Sequence, residues 1–329
     1  MLRFVLLALG LVTLAFIVWH IGPGHIYSAV ARLGPTALLA VLGPSVMMYM
    51  LEAQGWRMTL GRYGGAVPFW KLLAIRSAGE VVNMTTPSAY VGGEPLKAYL
   101  LKRHGVPMVE GLASVVTAKT TMTIAQIGFI LIGVAVGFWL LGRSGSPGQT
   151  AMATMISLGL LAFGVGGFVL IQRRGIFATL LSLLRKMGLA MKFLNAHEAK
   201  LLALDRTIAA FYSQNRAGFL WSILLFFLGW LAETIEVYVM LLILGEPATF
   251  LSSIAIGALS VFIKGGAFFI PGSLGAQDAG NLLLVTTFGY GEVTGITFAL
   301  LRRFRELVWV MIGLGCLAVM GRVPEKARD

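Results

Sequence analysis

The chain has 329 residues, of which 57% are hydrophobic and only 12% charged, and its mean hydropathy is +0.85. A soluble domain carries about 25% charged residues, so this composition excludes a water-soluble globular protein and places the chain in a membrane. The net charge of +12 does not point to nucleic acid, because the lysines and arginines gather between apolar runs, where the cytoplasmic preference of positive loops explains them.

A transmembrane helix needs roughly 20 apolar residues. Runs of that kind lie at about 2–19, 36–55, 109–141, 151–171, 217–244 and 294–320. The first begins with Arg3 and is read as a retained span, since its apolar core is long for a cleaved leader. Two further regions, 66–103 and 250–288, are apolar but broken by Gly, Pro and charge. They are read as re-entrant hairpins. Segment 172–216 alternates apolar and basic residues at helical spacing. It reads equally as a cytoplasmic amphipathic helix on anionic headgroups or as a connector.

The basic residues give the runs a direction. Arg57, Arg62, Lys71, Lys102 and Arg103 fall on the same side as the N-terminal Arg3, the eight bases between 173 and 216, and Arg322, Lys326 and Arg328 at the C-terminus. Only Arg32 and Arg143 fall on the other side. This bias places both termini in the cytoplasm, in a bacterial inner membrane. The expected fold is an all-α polytopic membrane protein: six full spans plus two re-entrant hairpins, forming a single integral membrane domain over 1–329. Cys316, the one cysteine, is a small core residue and excludes an intramolecular disulfide. His20, His25, His104 and His197 show no metal-ligand spacing, so no metal or cofactor is expected.

The two broken regions resemble each other at an offset of 184 residues. Pro87 falls on Pro271, Glu94 on Asp278, Gly105 on Gly289, Gly111 on Gly295 and Lys119 on Arg303; Glu80 falls on Lys264, its opposite in charge. Identity over 80–119 is little above chance, so the weight rests on the ungapped order. Three full spans separate the regions, so the second copy enters from the opposite face. The expectation is an inverted repeat with halves near 66–141 and 250–320, and broken helices meeting near the midplane. The stretches "TTPSAYVGG" and "KGGAFFIPGSLGAQD" become loops at opposed tips, since irregular backbone at membrane depth survives only in protein or beside a wet cavity.

The tips suit an anionic or zwitterionic headgroup. Half-helix N-termini attract anions, Gly92, Gly93, Gly272 and Gly275 allow close approach, and Thr85, Thr86 and Gln277 offer polar contacts beside Pro87 and Pro271. Lys97, Lys119, Lys264, Arg302, Arg303 and Arg305 supply positive charge; Glu80, Glu94, Asp278 and Glu306 neutralise it or bind an amine, a proton or a cation. Each charge at this depth costs roughly 2.5–3.5 kcal/mol on insertion scales, which argues for a purpose. The competing reading is that such charges merely lock helices together, as in the local pairs Arg302–Glu306 and Arg303–Glu306. Glu233 and Glu236, one turn apart in a span, divide evenly between structural and ion-coupling roles. Glu52 is expected near the interface, without a special role.

No G-x-S-x-G elbow, G-K-[ST] phosphate loop or H-E-x-x-H motif occurs, and "TAKTT" at 117–121 lacks the glycine loop of a nucleotide lysine. The stretch "TPSAYVGGEPLKAYLLKRHGVPMVEGLASVV" resembles the signature of the flippase-like family that includes the transmembrane region of lysylphosphatidylglycerol synthases. "FFIPGSLGAQDAGNLLL" is similar to the hopanoid-biosynthesis-associated branch. The resemblance covers nearly the whole chain. It implies movement of a lipid between leaflets, such as an aminoacylated phosphatidylglycerol or a polyprenyl- or hopanoid-linked molecule. The soluble aminoacyl-transferase domain of the full synthases is not present in this sequence, so lysine transfer is not expected of it. The sequence therefore reads as a lipid transporter whose partners are membrane lipids and lipid-biosynthesis enzymes. The rival readings are an intramembrane enzyme using paired carboxylates such as Glu80 and Glu94, and a non-catalytic scaffold of a lipid-synthesis complex.

Overall fold

The computed structural model describes residues 33–85, 92–142, 202–211, 214–266 and 273–320, with scattered positions between 12 and 27. The expected span at 151–171, most of those at 2–19 and of segment 172–216, and the tip residues Thr86, Pro87, Pro271 and Gly272 lie outside the described residues. What is described is helical: α1 (Gly34–Thr59), α2 (Phe69–Thr85), α3 (Glu94–Lys102), α4 (Met108–Gly142), α5 (Arg216–Ile243), α6 (Phe250–Gly266), α7 (Ala276–Thr287) and α8 (Glu292–Met320). Large apolar side chains such as Leu39, Trp139, Leu220, Trp221, Met311 and Val319 are exposed on the outside of this bundle, as a lipid-facing surface requires. The chain is a polytopic membrane protein.

Of the six expected spans, α1, α4 and α5 are long and apolar enough to cross a membrane by length and composition. Helix α8 has the length, with 29 residues, but carries "RRFRE" at 302–306 in its middle. Helix α3 has nine residues and rises only about 13 Å, less than half of a hydrocarbon core of about 30 Å.

Local chemistry sets the helix ends. Pro35 and Pro95 stand in the first turns of α1 and α3, where a missing N–H costs nothing. At the end of α3 the Val106 N–H donates to the Leu101 carbonyl and the Gly105 N–H to that of Lys102. This is a Schellman closure, and it needs the positive φ of +88° at Gly105. Helix α7 ends in the same closure, Tyr290 to Val285 and Gly289 to Thr286, with Gly289 at φ +87°. The two closures are 184 residues apart, as are the first residues of α4 and α8 and the last residues of α1 and α5.

The ends also group in space. The Thr59 hydroxyl donates to the Ser114 carbonyl at 2.9 Å, and Arg103 donates to the Met320 carbonyl at 3.2 Å. The ends of α1, α3 and α8 and the start of α4 therefore share one end of the bundle, and the short turn at Gly61–Tyr63 starts α2 there too. Ser252 and Tyr290 bond at 2.8 Å, and Thr294 donates to Glu246 at 2.5 Å. These contacts gather the end of α5, the start of α6, the end of α7 and the start of α8 at the opposite end. The α2–α3 hairpin thus opens at one end of the bundle and α6–α7 at the other.

The most extensive packing is α1 on α5, followed by α4 on α6 and α2 on α8. Small residues let these helices approach closely: Gly133 lies against Ala258, and a Cβ on Gly313 would stand 2.8 Å from the Ser77 carbonyl oxygen. The described part of the amphipathic segment, 202–211, is helical and buries Leu204 and Ile208 against Ala113 of α4. That part packs on the bundle.

Candidate functional site

Two charge clusters lie inside this bundle. In the first, the Lys97 ammonium of α3 donates to Glu80 of α2 at 2.7 Å and to Glu94 at 3.1 Å. Asn83 holds the group together: its amide donates to Glu94 at 3.0 Å, and its oxygen accepts the Gly93 N–H at 2.7 Å. Lys119 of α4 stands 4.0 Å from Glu94, with 39% of its side chain exposed. Beside them Arg76 of α2 pairs with Glu52 of α1.

In the second cluster Glu306 of α8 accepts from Lys264 at 2.9 Å, Gln277 at 3.0 Å and Arg303 at 2.7 Å. Arg303 also grips Asp278 through two parallel bonds of 2.7 and 2.9 Å. Such a fork is the strongest form of this contact. A further Arg303 bond to the Ser273 carbonyl at 3.2 Å holds Ser273 at a φ of +48°, a conformation rare for a residue with a Cβ. Arg302 pairs with Glu233, and Arg305 donates to Glu236 at 2.8 Å.

Between the clusters lies a cavity of about 310 Å³. The first cluster presents Glu52, Arg76, Glu80 and Lys119 to it, and the second Glu233, Lys264, Arg305 and Glu306. Tyr49, Trp230, Trp309, Gln126 and the methionines Met48, Met84 and Met122 form much of the rest of the wall. The Tyr49 and Trp309 rings stack at 3.7 Å, and Arg76 lies over the Tyr49 ring.

The structure sorts the residues singled out in the sequence. Glu80, Lys119, Glu233, Lys264, Arg305 and Glu306 line the cavity. Lys97, Glu94, Gln277, Asp278, Arg303 and Glu236 hold the liners in place through the bonds above. Arg302, 1% exposed, serves Glu233, so the expected local pair Arg302–Glu306 is not the one formed. Thr85 donates to the Val81 carbonyl at 2.7 Å within its own helix. Gly92 sits in the turn ahead of α3, and Gly275, at φ +77°, precedes α7.

Three expectations need correction. Glu52 is 4% exposed and lines the cavity; its place opposite Arg76 overrides its position near a predicted boundary. Lys264, Gln277 and Asp278 belong to helices α6 and α7 rather than to a tip loop. The helix N-termini expected to attract an anion already carry the chain's own acids: Glu94 lies in the first turn of α3, and Asp278 accepts the Gly275 N–H at 3.0 Å. Helix dipoles favour those carboxylates, so positive charge offered to the cavity comes from Lys119, Lys264, Arg76 and Arg305. Arg76 and Asn83 escaped the sequence reading, although Arg76 stands four residues before Glu80 in an apolar stretch, a spacing that puts both on one helix face. Among the described residues no group of three His, Cys, Asp or Glu stands together as a metal site.

Residues 3–315 match the family model described as the lysylphosphatidylglycerol synthase transmembrane region. The chain belongs to that family. A relative described as a UPF0104 membrane protein, from Methanothermobacter thermautotrophicus, is 23% identical over 339 residues, covering 99% of this chain and 98% of the relative. No solved structure matches. In the lysylphosphatidylglycerol synthase transmembrane-region family, then, this chain places a charged cavity within a largely apolar helical bundle.

Proposed function

We propose that the protein moves a polar-headgroup lipid between the leaflets of the membrane, with the headgroup passing through the cavity and the tails remaining in lipid. The observation that carries this reading is the cavity of about 310 Å³ lined by eight Glu, Lys and Arg side chains inside a lipid-facing bundle. Charges at that depth are costly unless paired or functional. Membership in a family described by a lipid synthase's transmembrane region supports a lipid cargo. The reading places the protein in a bacterial inner membrane with both termini cytoplasmic. It makes α2–α3 and α6–α7 re-entrant hairpins of a duplicated, inverted unit. The shared 184-residue spacing of helix bounds and of Gly105 and Gly289 supports such a duplication. The unit then extends to α1 and α5, beyond the halves near 66–141 and 250–320.

Lys119 gives a clean test. Its ammonium is the least enclosed of the four cavity bases and stands 4.0 Å from Glu94, so little structure depends on it. Lys119→Ala is expected to slow leaflet transfer of acyl-labelled phospholipid in reconstituted vesicles at least tenfold, with the thermal unfolding of the purified protein unchanged. A wild-type transfer rate in a folded variant refutes the proposal.

A further inference from the structure

The charges facing the cavity sum to zero, and this bears on which headgroup enters. Glu52, Glu80, Glu233 and Glu306 face Arg76, Lys119, Lys264 and Arg305 across one space. The residues behind them, Glu94 with Lys97 and Asp278 with Arg303, are matched as well. A ligand with net charge entering this site leaves that charge uncompensated in a low dielectric, where it costs several kcal/mol. A ligand that carries one charge of each sign leaves none.

The accessible groups offer a place for each sign. Among the cavity bases Lys119 and Lys264 are the most open, at 39% and 29% of the side chain, while Arg76 and Arg305 are at 6%. Among the cavity acids Glu80 is the most open, at 22%, against 5–8% for Glu52, Glu233 and Glu306. A phosphate belongs with the two lysines, whose ammonium groups bind it as point charges. An ammonium belongs at Glu80, the most open acid of the space. Resting on the translocation reading above, we infer that the cavity selects a net-neutral zwitterionic headgroup, a phosphate joined to an ammonium, over a purely anionic one.

The test uses the full chain in vesicles of equal parts phosphatidylethanolamine and phosphatidylglycerol, carrying a trace of one or the other with a fluorescent acyl chain. Loss of fluorescence to an external quencher reports transfer. The ethanolamine lipid is expected to move at least tenfold faster than the glycerol lipid, and Glu80→Gln to reduce that ratio to near one. Equal or faster transfer of the glycerol lipid overturns the selectivity and leaves translocation standing. If neither lipid moves, translocation fails, and binding decides the selectivity. Short-chain phosphatidylethanolamine in detergent should then raise the unfolding temperature of wild-type protein more than short-chain phosphatidylglycerol does, and equal shifts overturn the inference.

Discussion

Arg302→Met is expected to remove most of the folded protein. Arg302 is 1% exposed, pairs with Glu233 and lies over the Phe298 ring. Methionine fills much of the same volume but leaves the Glu233 carboxylate buried with its partner gone. Breaking one side of a buried ion pair costs about 3–5 kcal/mol because it strands the other charge, a penalty that removing both charges together avoids. The double change Glu233→Gln with Arg302→Met is therefore expected to recover most of the lost thermal stability. Monodisperse yield in detergent and unfolding temperature measure both. If the double variant is no better than Arg302→Met alone, the pair is not what Arg302 serves.

Gly93→Ala is expected to pry apart the α2–α3 hairpin. A Cβ at Gly93 would collide with the backbone carbonyl of Gly79 on the facing helix. Backbone cannot turn aside as a side chain can, so α3 must shift. The shift breaks the Gly93 N–H bond to Asn83 and lengthens the 2.7 Å contact between Lys97 and Glu80. Overpacking of this kind costs about 1–3 kcal/mol, to which the weakened polar contacts add. Gly79→Ala meets the aliphatic stem of Lys97 instead, a side chain that can shift at the expense of its bonds to Glu80 and Glu94, whereas backbone cannot, so its loss of unfolding temperature should be the smaller of the two. The reverse order would contradict this account of the hairpin.

Much of this was legible in the sequence because membranes simplify it. Long apolar runs became α1, α4 and α5, and the 184-residue series pointed to Gly105 and Gly289, which close α3 and α7 alike. Charged residues in apolar stretches are rare enough to announce a site, and Glu80, Lys119, Lys264, Arg305 and Glu306 were found that way. What sequence could not give was partnership. Arg302 and Glu306 sit at helical spacing, yet Arg302 reaches Glu233 on α5, because lateral packing of α5 and α8 decides which carboxylate is near. Glu52 looked ordinary for the same reason: its partner Arg76 is on the next helix, and no local pattern joins them. The polarity of the helix starts was misread because the chain's own acids occupy the places proposed for a ligand.

The ion pairs around the cavity share one property. Glu52–Arg76 and Glu80–Lys97 join helices of α1–α4, Glu94–Lys97 lies within α3, and Glu233–Arg302, Glu236–Arg305, Lys264–Glu306 and Asp278–Arg303 join helices of α5–α8. Where the two groups meet, glycines allow the close contact, Gly55 against Phe226, Gly229 against Glu52, Gly133 against Ala258 and Gly313 against Val81, and Thr121 bonds Ser222 at 2.8 Å and Trp309 bonds Ser45 at 2.9 Å. Each group is stapled internally by charge, while the seam between them is held by close packing and by hydrogen bonds that involve no carboxylate. A displacement of one group against the other would therefore leave each of these charges with its partner, and its cost would fall on the packed seam instead.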